Sequence, residues 1–165
     1  MWRARHSGNN AGVLAPAPLA DITSEQVERQ FGVNVLGALY ATQAAVPAFR
    51  NGGRVVNVSS VVAGEPLAGA AVYSASKAAL EAITRSLAAE LGPRVRVNAV
   101  SPGPTETDMF DGSRSPEFEA QALGRTPLGR LGRPDDIADV IAFVASDDAG
   151  WITGQVITAS GGFRR

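Results

Sequence analysis

Apolar residues recur near helical spacing from Ser24 onward. Val27, Phe31, Val35, Leu39 and Val46 fall towards one side of a helix predicted over residues 24–49. Thr23 offers that helix an N-cap hydroxyl, and Gln26, three residues on, completes a capping box. Asn51-Gly52-Gly53 is read as its stop. The pattern then changes to short β-branched runs: residues 54–59, Arg54-Val55-Val56-Asn57-Val58-Ser59, predict a strand. A loop containing Gly and Pro leads to a second long helix over residues 72–91, ended by Gly92-Pro93. Residues 95–100 predict another strand, cut short by Ser101-Pro102-Gly103-Pro104. Pro134 starts a third long helix through Ser146, with Asp135 and Asp136 placed against the positive end of its dipole. Residues 155–159 give a last strand, closed by Gly161-Gly162. Strands alternating with long helices predict a parallel sheet with right-handed crossovers. Residues 1–165 are read as one domain of the α/β class.

Composition narrows the chemistry. An apolar share of 45% is ample for a core, and a net charge of −1 argues against a nucleic-acid or anionic-membrane partner. The absence of cysteine removes disulfides, thiol catalysis and cysteine-ligated zinc, and no metal site is predicted. His6, the one histidine, is read as a solvated residue of a polar start, which leaves a serine–histidine triad almost no support. No apolar run reaches membrane-spanning length, and Met1-Trp2-Arg3-Ala4-Arg5-His6 lacks a signal-peptide core, so a cytoplasmic protein is expected.

The basic residues are fourteen arginines and one lysine, and that lysine, Lys77, lies four positions after Tyr73. Residues four apart share a helix face, so the Lys77 ammonium can approach the Tyr73 hydroxyl. A nearby cation is expected to favour phenolate and bring the phenol towards the range of a general acid/base. The plainer reading is a buried tyrosine beside an exposed lysine. Ser74-Ala75-Ser76-Lys77 also fits the Ser-x-x-Lys nucleophile pattern of penicillin-recognising enzymes, but these need a further lysine that the chain lacks.

Five features occur in order: Asn9-Asn10-Ala11-Gly12; Asn34; Ser59-Ser60 at a strand end; Tyr73-x-x-x-Lys77; and Pro102-Gly103-Pro104-Thr105. In this order they resemble the classical short-chain dehydrogenase/reductases, over nearly the whole chain from Asn9 to Gly162. The resemblance implies that Tyr73 exchanges a proton with a carbonyl or alcohol oxygen. Lys77 would lower the tyrosine pKa and hold the nicotinamide ribose, and Ser60 would hydrogen-bond the substrate oxygen. Ser59 is read as the serine that faces away. Asn34 would hold a water linking Lys77 to solvent, against the plainer reading of a helix-kinking or backbone-capping amide. Asn10, Ala11 and Gly12 would form a turn beside an NAD or NADP cofactor. Pro102, Gly103 and Thr105 would shape the nicotinamide pocket, and Thr107 would approach the pyrophosphate. Residues 106–124 resemble a lid over the substrate.

Neither Gly-x-x-x-Gly-x-Gly nor Gly-x-Gly-x-x-Gly occurs. On the family pattern the chain starts near the fourth strand, and on the order of 80 residues, about one mononucleotide-binding half, are absent. The apolar strand expected before Asn9 is replaced by polar Arg3-Ala4-Arg5-His6-Ser7-Gly8. The fold implied is a truncated, Rossmann-like, doubly wound parallel sheet. Two functions stay open: an NAD(P)-dependent oxidoreductase, or a catalytically inactive remnant that folds or assembles. For the first, a 3-oxoacyl thioester is the leading substrate, with a sugar or secondary alcohol next. Weak nicotinamide binding and homo-oligomers through the helices from Ser24 and Val72 are expected, because an uncovered sheet edge and face favour association.

Overall fold

A computed structural model describes residues 4–65, 67–111 and 115–163. Residues 1–3 of the polar start and 112–114 of the expected lid lie outside the described residues. The valine-rich segments form β2 (Phe49–Val58) and β3 (Val95–Pro102), the centre of a four-stranded sheet of order β1-β2-β3-β4. β1 (Ala4–Asn9) pairs with β2 and β4 (Val156–Ala159) with β3, all in parallel. The predicted parallel α/β sheet is therefore present, with the strands after Gly53, Pro93 and Gly154 side by side.

Strand alternation divides the core. Val55 and Val97 point to one face, where Ala88, Leu87 and Leu91 of α3 (Ala71–Leu91) cover them. Val56 and Val100 point to the other, under Ile137, Val140, Ile141 and Val144 of α6 (Pro134–Ala145). Burial of each such valine contributes roughly 1.5–3 kcal/mol, so two packed faces hold the middle strands rigid. Arg96 extends this packing with polar contacts. It donates to the carbonyls of Val144 (3.2 Å), Ser146 (2.9 Å) and Ile152 (3.0 Å), satisfying the C-terminal end of α6.

Three predicted elements differ. The polar start is not irregular: Ala4–Asn9 is a strand, in register with β2 from His6 opposite Arg54 to Asn9 opposite Asn57. His6 and Gly8 lie exposed on one face, so this edge strand needs no apolar run. The helix predicted over residues 24–49 runs without interruption from Ser24 to Ala48 but changes its hydrogen bonding along the way: α1 (Ser24–Phe31), a π turn (Gly32–Gly37), α2 (Ala38–Ala45) and a tight last turn (Val46–Ala48). Its capping box is present: Gln26 N donates to Thr23 Oγ1 at 3.2 Å and Thr23 N to Gln26 Oε1 at 3.1 Å. Asn51-Gly52-Gly53 lies inside β2 rather than ending a helix, because Gly52 N and Gly53 N both donate to Arg94 O, at 3.0 and 3.1 Å. Two residues facing one acceptor make a bulge, and this lets Phe49 enter the core, 4% exposed. Two short helices, α4 (Asp108–Asp111) and α5 (Pro116–Gly124), follow β3. Among the described residues, no helix is long and apolar enough to cross a membrane.

Candidate active site

The loops that leave the strands' C-terminal ends meet around a cavity of ≈690 Å³. Asn10, Ala11 and Gly12 line it after β1, Ser60 after β2, and Pro102, Gly103, Thr105 and Thr107 at and after the end of β3. Tyr73 and Lys77 reach it from the first turns of α3. Every residue expected at the site thus faces this cavity except Asn34, which lies behind it. Leu67, Met109, Phe118 and Phe163 add an apolar wall that the sequence motifs did not indicate.

Local structure explains these placements. A side chain added at Gly103 would lie 2.7 Å from Ser160 Cβ and 2.8 Å from its Cα, so only glycine lets the ends of β3 and β4 meet. Gly103 N then donates to Ala159 O at 3.0 Å. Thr105 Oγ1 donates to Gly103 O at 2.9 Å and closes that turn. A β-carbon at Gly12 would lie 3.3 Å from Lys77 Nζ and 3.5 Å from Asn34 Oδ1. The backbone at Gly12 thus lies close to both the Lys77 ammonium and the Asn34 amide.

Asn34 sits in the π turn, 1% exposed. Its Oδ1 accepts from Val13 N at 2.8 Å, and its Nδ2 donates to Val13 O at 3.0 Å and Ser76 Oγ at 2.9 Å. The backbone-capping reading of this amide is thus visible directly: Asn34 pins the chain just after Gly12. Ser76, in turn, donates to Tyr73 O at 2.7 Å, so the same amide is tied to the first turn of α3. Ser76 was missed because a serine beside a motif residue carries no signal of its own.

Both serines border the cavity, and their hydroxyls have different partners. Ser59 Oγ donates to Glu81 Oε1 at 2.8 Å and turns to α3. The Ser60 hydroxyl accepts from Val62 N at 3.5 Å and lines the cavity with Tyr73. Lys77 is 3% exposed; its Nζ donates to Val58 O at 2.8 Å and lies 5.7 Å from the centre of the Tyr73 ring.

The electrostatics correct one expectation. Burial pushes the Tyr73 phenol above its usual value of 10.0, with the neighbouring Ser60 hydroxyl acting the other way, so the net shift is opposite to the one expected. The ammonium donates to the Val58 carbonyl and lies over the ring. Burial also brings Lys77 down from 10.5 to about 8. Tyr73 is thus a neutral phenol at physiological pH, beside an amine whose proton is loosely held.

This geometry can be compared with known proteins. A family model described as enoyl-(acyl carrier protein) reductase matches residues 6–164. An uncharacterized oxidoreductase of Methylorubrum extorquens is 53% identical over 159 residues, 94% of this chain and 64% of that protein. A 3-oxoacyl-[acyl-carrier-protein] reductase of Thermotoga maritima is 44% identical over 160 residues, 93% of this chain and 63% of that protein. The chain spans less than two thirds of the length of these curated relatives. Among solved structures, a short-chain dehydrogenase/reductase (glucose/ribitol dehydrogenase) from Brucella melitensis has a TM-score of 0.94 at 34% identity, over 99% of this chain and 66% of its own. An angucycline C-6 ketoreductase with bound NADP has a TM-score of 0.90 at 37% identity, over 97% of this chain and 62% of its own. With the motifs in order, the parallel sheet and a match across nearly every residue, the chain belongs to the short-chain dehydrogenase/reductase family.

Proposed function

We propose that this protein is an NAD(P)-dependent oxidoreductase that interconverts a ketone and a secondary alcohol. The observation that carries the reading is the meeting of Ser60, Tyr73 and Lys77 at one cavity, with the Lys77 ammonium over the Tyr73 ring. In the reductive direction Tyr73 gives its phenolic proton to the carbonyl oxygen. Ser60 holds that oxygen and stabilises the charge that develops on it. A nicotinamide bound there would supply hydride for the carbonyl carbon, or accept it in reverse.

The residues present fit the ribose end of such a cofactor. Among the described residues, Val58 O is the acceptor of Lys77 Nζ, which leaves ammonium protons for ribose hydroxyls. The uncluttered backbone of Asn10, Ala11 and Gly12 borders the same cavity, with Thr105 and Thr107 opposite. Lys77, Tyr73, Asn10, Ala11, Gly12, Pro102, Gly103, Thr105 and Thr107 are the residues assigned to hold it. Asn34 is assigned a bound water behind Lys77, through which the tyrosine regains its proton. The wall of Leu67, Met109, Phe118 and Phe163 suits an acyl chain, and the Thermotoga maritima relative is named for 3-oxoacyl chemistry. A 3-oxoacyl thioester is therefore the proposed substrate, in a cytoplasmic setting.

The test is NADPH binding by calorimetry and NADPH consumption with acetoacetyl-coenzyme A on the purified chain. Ser60→Ala should lower turnover by about a hundredfold or more, the effect of losing one donor to a developing oxyanion. If the chain neither binds NADPH nor consumes it, a non-catalytic assembly role takes the place of this reading.

The reading extends to association of two copies through α1, α2 and α3. A groove of ≈370 Å³ runs between Leu39, Tyr40 and Val46 on one side and Leu87 and Leu91 on the other. Leu36 and Tyr40 nearby are 43% and 60% exposed, large apolar groups that a second copy would cover. Sedimentation should give a dimer or larger species, and Tyr40→Glu should shift it towards monomer. A wild-type monomer at working concentrations overturns this part.

A further inference from the structure

Ser59 is 3% exposed, and its hydroxyl takes no part in the chemistry proposed above. It is held from several sides. Its backbone N–H donates to Val100 O at 2.7 Å, which continues the β2–β3 ladder past Val58. Its hydroxyl donates to Glu81 Oε1 at 2.8 Å, with Lys77 O as a longer alternative at 3.4 Å. A hydroxyl-to-carboxylate bond is charge-assisted and stronger than a neutral one. Glu81 is half-buried on α3, one turn beyond Lys77.

This bond fixes the residue before Ser60. Ser60 has extended backbone, φ −164° and ψ 149°, and neighbouring side chains on extended backbone leave on opposite sides. With Ser59 drawn to Glu81, Ser60 is turned to the cavity. Its own backbone anchor is weak, a contact from Val62 N at 3.5 Å. The same bond affects Lys77. Residues four apart on a helix are spaced for an ion pair, yet Glu81 is engaged by Ser59, and Lys77 Nζ turns to Val58 O at 2.8 Å.

We propose that Glu81 is a positioning residue: through Ser59 it orients the Ser60 hydroxyl towards the cavity that Tyr73 lines and leaves the Lys77 ammonium to the cavity. Its kinetic consequence rests on the oxidoreductase reading; its structural consequence does not. The signal in the sequence is a glutamate four residues after Lys77, on the same helix face.

The chain has two tyrosines, and Tyr40 is 60% exposed, so Tyr40→Phe leaves Tyr73 as the single tyrosine resonance. With tyrosine isotopically labelled at Cζ, its NMR shift reports the hydrogen bond at the phenol oxygen. Ser60→Ala in this background should displace the resonance. Glu81→Ala should displace it in the same direction, and Glu81→Gln, whose amide oxygen still accepts from Ser59, should restore most of it. In turnover, Glu81→Ala should lower kcat about tenfold with KM little changed, because one hydrogen bond's worth of orientation is lost. Should Glu81→Ala fail to fold, Ser59→Ala cuts the same bond and must move the resonance likewise. A resonance that Ser60→Ala moves and that neither Glu81→Ala nor Ser59→Ala moves overturns the proposal, whatever the rates. If Ser60→Ala leaves it unmoved, the Ser60–Tyr73 contact and the proposal fall together. Displaced resonances in a chain without turnover would remove the oxidoreductase reading and leave the positioning role standing.

Discussion

Tyr73→Phe is expected to lower turnover on the order of a thousandfold while leaving the fold intact. The change deletes one oxygen, and that oxygen carries the proton the carbonyl needs. Among the described residues lining the cavity, Tyr73 and Lys77 are the ones that titrate, so no carboxylate or imidazole stands ready to substitute. Burial keeps the phenol protonated well beyond neutral pH, which makes it a donor in the reductive direction. The phenyl ring still fills its place, and the hydrogen bonding of one hydroxyl is worth only about 1 kcal/mol, so the melting temperature should move little. Steady-state rates paired with thermal melting separate the two effects. A variant that retains more than about a tenth of wild-type turnover would show that another group delivers the proton.

Lys77→Met is expected to abolish turnover and, at pH 7, to stabilise the fold. Lys77 falls from 10.5 to about 8 because burial disfavours the ammonium. A displacement of that size corresponds to about 3 kcal/mol of unfavourable burial at neutral pH. Methionine fills the same space without charge and forfeits the hydrogen bond to Val58 O, worth about 1 kcal/mol, so a net gain of about 2 kcal/mol should remain. The pH dependence follows from the direction of the shift. Between about pH 8 and 10.5 the unfolded chain binds the lysine proton and the folded chain does not, so wild-type stability from this group rises across that window. Below pH 8 the cost is fully present. The stability advantage of Lys77→Met should therefore be greatest at pH 7 and shrink towards pH 10.5. Melting curves of both proteins at several pH values test this. A variant less stable than wild type at pH 7 would mean that the ammonium's contacts outweigh its desolvation. A site that is less stable than it could be is the usual trade of stability for function.

Much of the fold was legible because its signals are local. α3 begins at Ala71 and ends at Leu91, within one residue of the prediction, because Gly92-Pro93 cannot continue a helix and the stripe of Lys77, Leu80, Thr84 and Ala88 is periodic. The Thr23–Gln26 capping box is contained in four residues and could be read outright. β1 was not legible, because a parallel edge strand is recruited by backbone pairing with β2, to which side chains contribute no pattern. The π turn at Gly32–Gly37 was legible only as the plainer, helix-kinking reading of Asn34, because that amide's partners, Val13 and Ser76, lie far away in sequence.

The site divides along the same line. By itself the sequence determined the order of the motifs, the shared face of Tyr73 and Lys77 through helical spacing, and the lack of cysteine or a second histidine that would permit other chemistry. The tertiary structure alone decided that Tyr73 stays a phenol and Lys77 loses affinity for its proton, because desolvation depends on what packs around a group. It also gave Ser59 and Glu81 to each other, because a hydrogen bond between a strand end and a helix exists only once both are in place. Spacing is a property of the chain, whereas burial and cross-chain partners are properties of the folded molecule.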